Sequence, residues 1–169
     1  PDRAANFAIQ NSDLIICLGA RLDKGIVGYN PNDWGRGAKK IVVDLDKEEL
    51  KKPGVAIDIA INGDVSDFFT QLDRKIKTKN IANFSEWVKT CQTWRKKYPM
   101  VMEEYKKEKL VNSYFFSERL SKLSNKHDTV VVDTSSAFHV VCQTWSIKAG
   151  QTFLTTGGIS TMSSWPSSI

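Results

Sequence analysis

Two short segments carry the residue types from which a binding site can be built. The first, Thr134-Ser-Ser-Ala137, follows the apolar run Thr129-Val-Val-Val-Asp133 and precedes a stretch of helical spacing. That puts small hydroxyl residues at the carboxyl end of a strand and the amino end of a helix, where backbone amides and the helix dipole favour an anion. Small side chains there let a diphosphate approach the backbone closely. Serine and threonine after a strand are also ordinary helix caps, so local chemistry alone leaves both readings open. The second segment, Thr155-Thr-Gly-Gly-Ile-Ser-Thr-Met162, is a strand end followed by a turn that exposes backbone carbonyls beside a large apolar side chain. Taken by itself it is a loop.

Other familiar chemistries have no residues to carry them. The sequence holds no Gly-x-x-x-x-Gly-Lys, no Gly-x-Gly-x-x-Gly, no Cys-x-x-Cys and no His-Glu-x-x-His. His127 lies beside a turn and His139 inside a helix, and neither belongs to a metal or triad constellation. His139 reads as a packing or surface residue. No catalytic residue and no metal ligand is assigned.

The elements that must position these segments alternate between strand and helix. Arg3 to Gln10 has a small-residue helix face of Ala4, Ala5, Ala8 and Ile9, and Asp13-Leu-Ile-Ile-Cys-Leu18 is a short buried strand ending at Gly19. Lys40-Ile-Val-Val-Asp44 is a second strand of the same kind. Lys47 to Lys51 suits a short helix, and alternation at Val55, Ile57, Ile59 and Ile61 predicts a third strand from Val55. Asp64 is placed to cap a helix whose apolar positions are Val65, Phe68, Phe69, Leu72 and Ile76. Residues 79 to 110 form an amphipathic helical connector, with Phe84, Trp87, Cys91, Trp94, Tyr98, Met102 and Tyr105 as a packing stripe that Pro99 should break or kink. The alternation then restarts: a helix from Ser113 to Ser124, the strand from Thr129, a helix with Phe138, Val141, Cys142 and Trp145 inward, and a strand at Thr152 to Thr155.

This pattern predicts an α/β fold with parallel, Rossmann-like layers and flanking helices. Three strands are few for the first sheet, and both ends of the chain read as cut, so the expectation is a fragment incomplete at both ends. Its parts are residues 1–78, the connector 79–110, and a second α/β unit 111–169.

Composition narrows the function classes. Hydrophobic residues make up 41% and charged residues 25% of the 169, which is ordinary for a globular protein. The net charge of +5 sits in runs such as Arg74 to Lys79 and Arg95 to Lys97, among acidic residues, as on a solvated helix face. With no zinc-finger, RRM or helix-turn-helix signature beside it, a nucleic-acid partner is not expected. No apolar stretch approaches the roughly 20 residues that span a bilayer, and there is no secretory signal pattern, so no membrane partner is expected. The three cysteines, Cys17, Cys91 and Cys142, are odd in number and read as buried thiols in a reducing cytoplasm.

In this order the segments resemble the acetolactate-synthase branch of the thiamine-diphosphate-dependent enzymes. Asn11-Ser-Asp-Leu-Ile-Ile-Cys-Leu-Gly-Ala-Arg-Leu-Asp23, then Gly28, Ala38-Lys-Lys-Ile-Val-Val-Asp-Leu-Asp46 and Gly63-Asp64 look like the second half of that family's middle domain. Thr155-Thr-Gly-Gly-Ile-Ser-Thr-Met162 with Pro166 resembles the family's Ser-Gly-Gly-Leu-Gly-Thr-Met stretch near the start of its cofactor domain. Ser160 stands where glycine is usual, Ser163-Ser164 replaces a glycine-aromatic pair, and Met162 to Pro166 is one residue shorter than the family pattern.

The resemblance implies that Thr134, Ser135, Ser136 and Ala137 grip the cofactor's diphosphate, that Ser160 offers its carbonyl to the aminopyrimidine, and that Met162 is the wedge that bends the cofactor. It implies a cofactor that decarboxylates a 2-oxo acid and joins the remainder to a second carbonyl. Gly19, Arg21, Asp44 and Asp64 match positions that in some relatives bind FAD or another adenine nucleotide. It further implies a homo-oligomeric parent protein. Magnesium ligands and the activating glutamate would lie outside this chain, so the chain alone is expected to be inactive. The alternative is a non-catalytic Rossmann-like module for nucleotide binding or subunit assembly.

Overall fold

The computed structural model describes residues 2–77, 79, 82–157 and 162. It is an α/β structure whose strands form two small parallel sheets, one of three strands and one of two. The chain divides into two compact units, Ala4–Trp94 and the residues from Arg95 onward together with the first three.

In the first unit, helix α1 (Arg3–Asn11) leads into β1 (Leu14–Leu18), which pairs in parallel with β2 (Lys39–Asp44), which in turn pairs with β3 (Ile59–Asn62). Between β1 and β2 come α2 (Lys24–Val27) and a 3₁₀ turn at Pro31–Asp33, and between β2 and β3 comes α3 (Lys47–Lys51). Because side chains alternate along a strand, Ile15, Cys17, Lys40 and Val42 share one face, and Ile16, Leu18, Ile41 and Val43 the other. Cys17 and Val42 are buried on the first face with Trp34, and Leu22, Val27, Leu50, Val55 and Ile57 pack around them. Val42 and Val43 are 2% and 0% exposed, and burial of each is worth about 1.5–3 kcal/mol. Lys40 is buried on that same face, and its Nζ donates to Ala38 O at 3.0 Å. Burial pushes the Cys17 thiol pKa up, and the Lys40 charge partly offsets the shift.

The third strand starts at Ile59, four residues later than alternation alone predicts. Pro53 and Gly54 intervene after α3, the latter at φ 153°, and Val55 and Ile57 turn into the core instead of joining the ladder. Helix α4 (Val65–Ile76) then packs against β2, with Val65, Phe68 and Leu72 half-buried and Phe69 52% exposed. Helix α5 (Ser85–Lys97) stops two residues before Pro99, as the missing amide and ring of proline demand. Its stripe is half-buried at Trp87, Cys91 and Trp94, while Phe84 is exposed. Trp94 stacks near Phe7 at 5.8 Å and meets Trp87 edge-on at 5.7 Å.

In the second unit a 3₁₀ turn at Glu103–Lys107 takes the place of a second connector helix, and Tyr105 there lies 6.3 Å from Tyr114. Helix α6 (Ser113–Leu123), β4 (Thr129–Val132), α7 (Ser135–Thr144) and β5 (Thr152–Thr155) follow, with β4 and β5 parallel. The inward face of α7 differs from the expected one: Val140 and Thr144 are buried, and Cys142 is exposed. The cause is α6, which presents the buried hydroxyls of Ser117 and Ser121, so α7 turns its own hydroxyl toward them. Thr144 Oγ1 lies 2.8 Å from Ser117 Oγ and donates to Val140 O, and Ser121 Oγ accepts from Ser146 N at 2.9 Å. Of the three thiols, Cys17 is buried, Cys91 half-buried and Cys142 exposed, and all are free. None of the described helices is long and apolar enough to cross a membrane.

Candidate functional site

The carboxyl end of β4 delivers Asp133 and then Thr134, the extended N-cap residue of α7. Thr134 is buried but makes no side-chain cap hydrogen bond, so its hydroxyl leaves the first-turn amides of α7 to another acceptor. Ser135, Ser136 and Ala137 are exposed there, and Ser135 lies at φ 68°, in the left-handed region. One acidic group stands beside them: Asp133 Oδ1 accepts from Thr134 N at 2.8 Å. Ser136 and Ala137 also border an apolar cavity of about 280 Å³ with Phe116, Leu120, Val140 and Trp145.

The turn after β5 closes on this helix. A side chain at Gly157 would come within 2.5 Å of the Phe138 ring, so only glycine permits that approach, and Gly157 N donates to Thr155 Oγ1 at 3.0 Å. The beginning of the Gly-Gly turn is therefore packed against Phe138, the residue that follows Ala137 in α7. Ser160 lies outside the described residues. Met162 is described, and its side chain is 73% exposed. His139 is exposed on α7, against Phe138. An uncapped ten-residue helix with small residues in its first turn fits a diphosphate, with the Asp133 carboxylate as the one opposing charge.

The second set of residues converges at the carboxyl ends of β1, β2 and β3. Gly19, Arg21, Asp44 and Asp64 line one open pocket of about 520 Å³, joined by Leu45, Asp46, Glu49, Val65 and Ser66. Gly19, at φ 58°, sends its amide to Val43 O at 2.9 Å and turns the chain out of the sheet. Sequence reading found four of these residues and missed Asp46 and Glu49. The signal for Asp46 was present, since an aspartate just before Lys47 is an N-cap position, and its carboxylate accepts from Glu48 N at 2.9 Å. Glu49 has no local signal, because its partner Arg21 is 28 residues away. The Asp64 carboxyl is held below its usual range by the Ser66 amide, and that of Glu49 by its hydrogen bond to Lys52, so both are anionic at neutral pH. The wall thus carries four carboxylates and one guanidinium, which does not fit the diphosphate of a dinucleotide such as FAD. Among the described residues no cluster is suited to hold a metal ion.

A family model described as the central domain of thiamine pyrophosphate enzymes matches residues 1–72. Residues 1–72 are thus similar to the central domain of that family, and the chain is similar to acetolactate synthases along nearly its whole length. The mitochondrial catalytic subunit of Saccharomyces cerevisiae is 30% identical over 172 residues, covering 94% of this chain and 24% of the relative. The large subunit of Lactococcus lactis is 29% identical over 167 residues, covering 94% and 27%, and the isozyme 1 large subunit of Escherichia coli is 27% identical over 163 residues, covering 95% and 27%. The chain spans about a quarter of the length of these relatives.

Proposed function

We propose, from its similarity to acetolactate synthases, that this chain serves a thiamine-diphosphate-dependent enzyme that decarboxylates 2-oxo acids and ligates the product to a second carbonyl. The observation that carries the reading is the match to such relatives over 94% of the chain, through both α/β units. In this proposal the first-turn amides of α7 at Ser135, Ser136 and Ala137, with Thr134, receive the diphosphate. The Ser160 carbonyl orients the aminopyrimidine and Met162 presses against the cofactor. Thiamine diphosphate, once bound with Mg²⁺, supplies the electron sink for loss of carbon dioxide. Magnesium ligands and the activating carboxylate come from other parts of the whole protein, which is a homo-oligomer. The proposed location is the cytoplasm, from the odd number and wide spacing of the three cysteines in the sequence.

The test uses the whole protein. Thiamine diphosphate with Mg²⁺ should produce a cofactor-dependent circular dichroism signal and release carbon dioxide from members of a 2-oxo acid panel. Ser136→Asp adds a carboxylate at the α7 amides and should weaken cofactor retention at least about tenfold. Full retention in that variant would remove the diphosphate from α7, and a wild type that holds no cofactor would leave the non-catalytic module as the better reading.

A further inference from the structure

The pocket at the carboxyl ends of β1, β2 and β3 sits where an α/β sheet receives a nucleotide, yet three of its amides and the Nε of Arg21 already hold carboxylates. Two helices open on it, α3 and α4, and each is capped from inside the chain. Asp64 Oδ1 accepts from Ser66 N at 2.7 Å, and Asp46 Oδ1 accepts from Glu48 N at 2.9 Å. The loop amide between them is taken as well, Asp46 N donating to Asp44 Oδ1 at 2.9 Å. The remaining cation of the wall, Arg21, donates from Nε to Glu49 Oε1 at 3.3 Å, and Lys52 meets the other oxygen of the same carboxylate. A phosphate taking the Ser66, Glu48 or Asp46 amide would have to displace a carboxylate and would still face the other three.

We infer that Asp46, Glu49 and Asp64 act together as a selectivity filter that closes this pocket to nucleotide diphosphates, so that the central domain of this protein carries no flavin dinucleotide. The filter consists of the caps themselves. At α7, the uncapped helix of the second unit, the contrary arrangement holds, with Thr134 contributing no side-chain bond. The caps thus occupy the α4 terminus and the α3 turn, whereas Thr134 leaves the α7 terminus without one. This inference is independent of the reading at Thr134 to Ala137, since a protein that excludes ADP from the central domain can still hold thiamine diphosphate elsewhere.

The experiment compares ADP with adenosine by calorimetry at low salt on the full protein, alongside the flavin absorbance of the purified sample. The expected result is a flavin-free protein for which ADP binds at least about tenfold more weakly than adenosine or gives no heat at millimolar concentration. Asparagine and glutamine keep the cap acceptors while removing charge, so the triple variant Asp46→Asn, Glu49→Gln, Asp64→Asn should fold. Its fold is checked by circular dichroism, and the single variant Glu49→Gln, which touches neither cap, provides a second reading. ADP affinity should rise at least about tenfold in the triple variant and in the same direction in the single one. Co-purified flavin, wild-type affinity for ADP equal to or above that for adenosine, or variants that bind ADP no better than wild type would each overturn the inference.

Discussion

Asp58 and Lys40 hold each other reciprocally across two strands: the Asp58 carboxylate accepts from Lys40 N at 2.8 Å, and Asp58 N donates to Lys40 O at 3.0 Å. This clamp fixes where β3 enters the sheet, one residue before the ladder begins at Ile59. A hydrogen bond to a charged acceptor contributes about 1.5–3 kcal/mol, so Asp58→Ala should lower stability by about that much. The urea midpoint of the full chain measures it. Asp58→Asn, which keeps an acceptor, should lose less than half of the Ala effect, and equal losses would mean that the carboxylate does not hold the strand.

The same clamp shows why the sequence located some elements well and others poorly. The first two strands were legible because Leu14 to Leu18 and Ile41 to Val43 are continuous apolar runs, as strands of a parallel sheet commonly are, although only β2 is central. The beginning of β3 was not, because alternation at Val55 and Ile57 is identical whether a residue joins the ladder or turns into the core, and Lys40, 18 residues away, decides it. The α7 face failed for a related reason. Cys142 is the more apolar residue, but the hydroxyls of Ser117 and Ser121 on α6 make the buried seam polar and draw Thr144 inward. At the candidate sites, Gly19, Arg21, Asp44 and Asp64 were found and are brought together, while the paired state of Arg21 depends on Glu49 and lies outside any local pattern.

Ser135 occupies the left-handed region at φ 68°, where a side chain costs about 1–2 kcal/mol that glycine does not incur. Ser135→Gly should therefore raise the thermal midpoint or leave it unchanged, and Ser135→Val should lower it. A Val variant as stable as wild type would place the residue in an ordinary helical conformation.

Phe7 and Trp94 join α1 to α5 with ring centroids 5.8 Å apart, in the same unit as the Trp87 contact. A double-mutant cycle of Phe7→Ala and Trp94→Ala should give a coupling of about 0.5–1.5 kcal/mol, the usual range for aromatic pairs. Additive losses would assign the rings to separate environments.

Lys148 holds the carboxyl end of α6, with its ammonium donating to Lys122 O at 3.4 Å and also to Ser124 O. Cations stabilise a helix terminus of this polarity, and the loss in Lys148→Met should be about 1 kcal/mol. Gln151 donates to Asn125 O at 2.7 Å in the same place, so Gln151→Ala should add to that loss by less than its separate effect. Hydrogen exchange at Leu120 to Leu123 reads the outcome directly.

The Asp64 cap gives a pH dependence with a definite sign. Its carboxyl is held below the ordinary value because the Ser66 amide donates to the ionised form. A depressed acid contributes stability that is present in full above its unfolded value, about pH 4, and is lost as pH falls through the lower folded value. Asp64→Ala should accordingly unfold at lower urea than wild type at pH 6, and the gap between the two midpoints should narrow as pH drops below about 4. Asp64→Asn keeps the cap without a titrating group, so its advantage over Asp64→Ala should stay level across the same range. A wild-type gap that does not change between pH 6 and pH 2 would show that the cap does not favour the ionised carboxylate, and would free the Ser66 amide from the anion that the closure of the central pocket assigns to it.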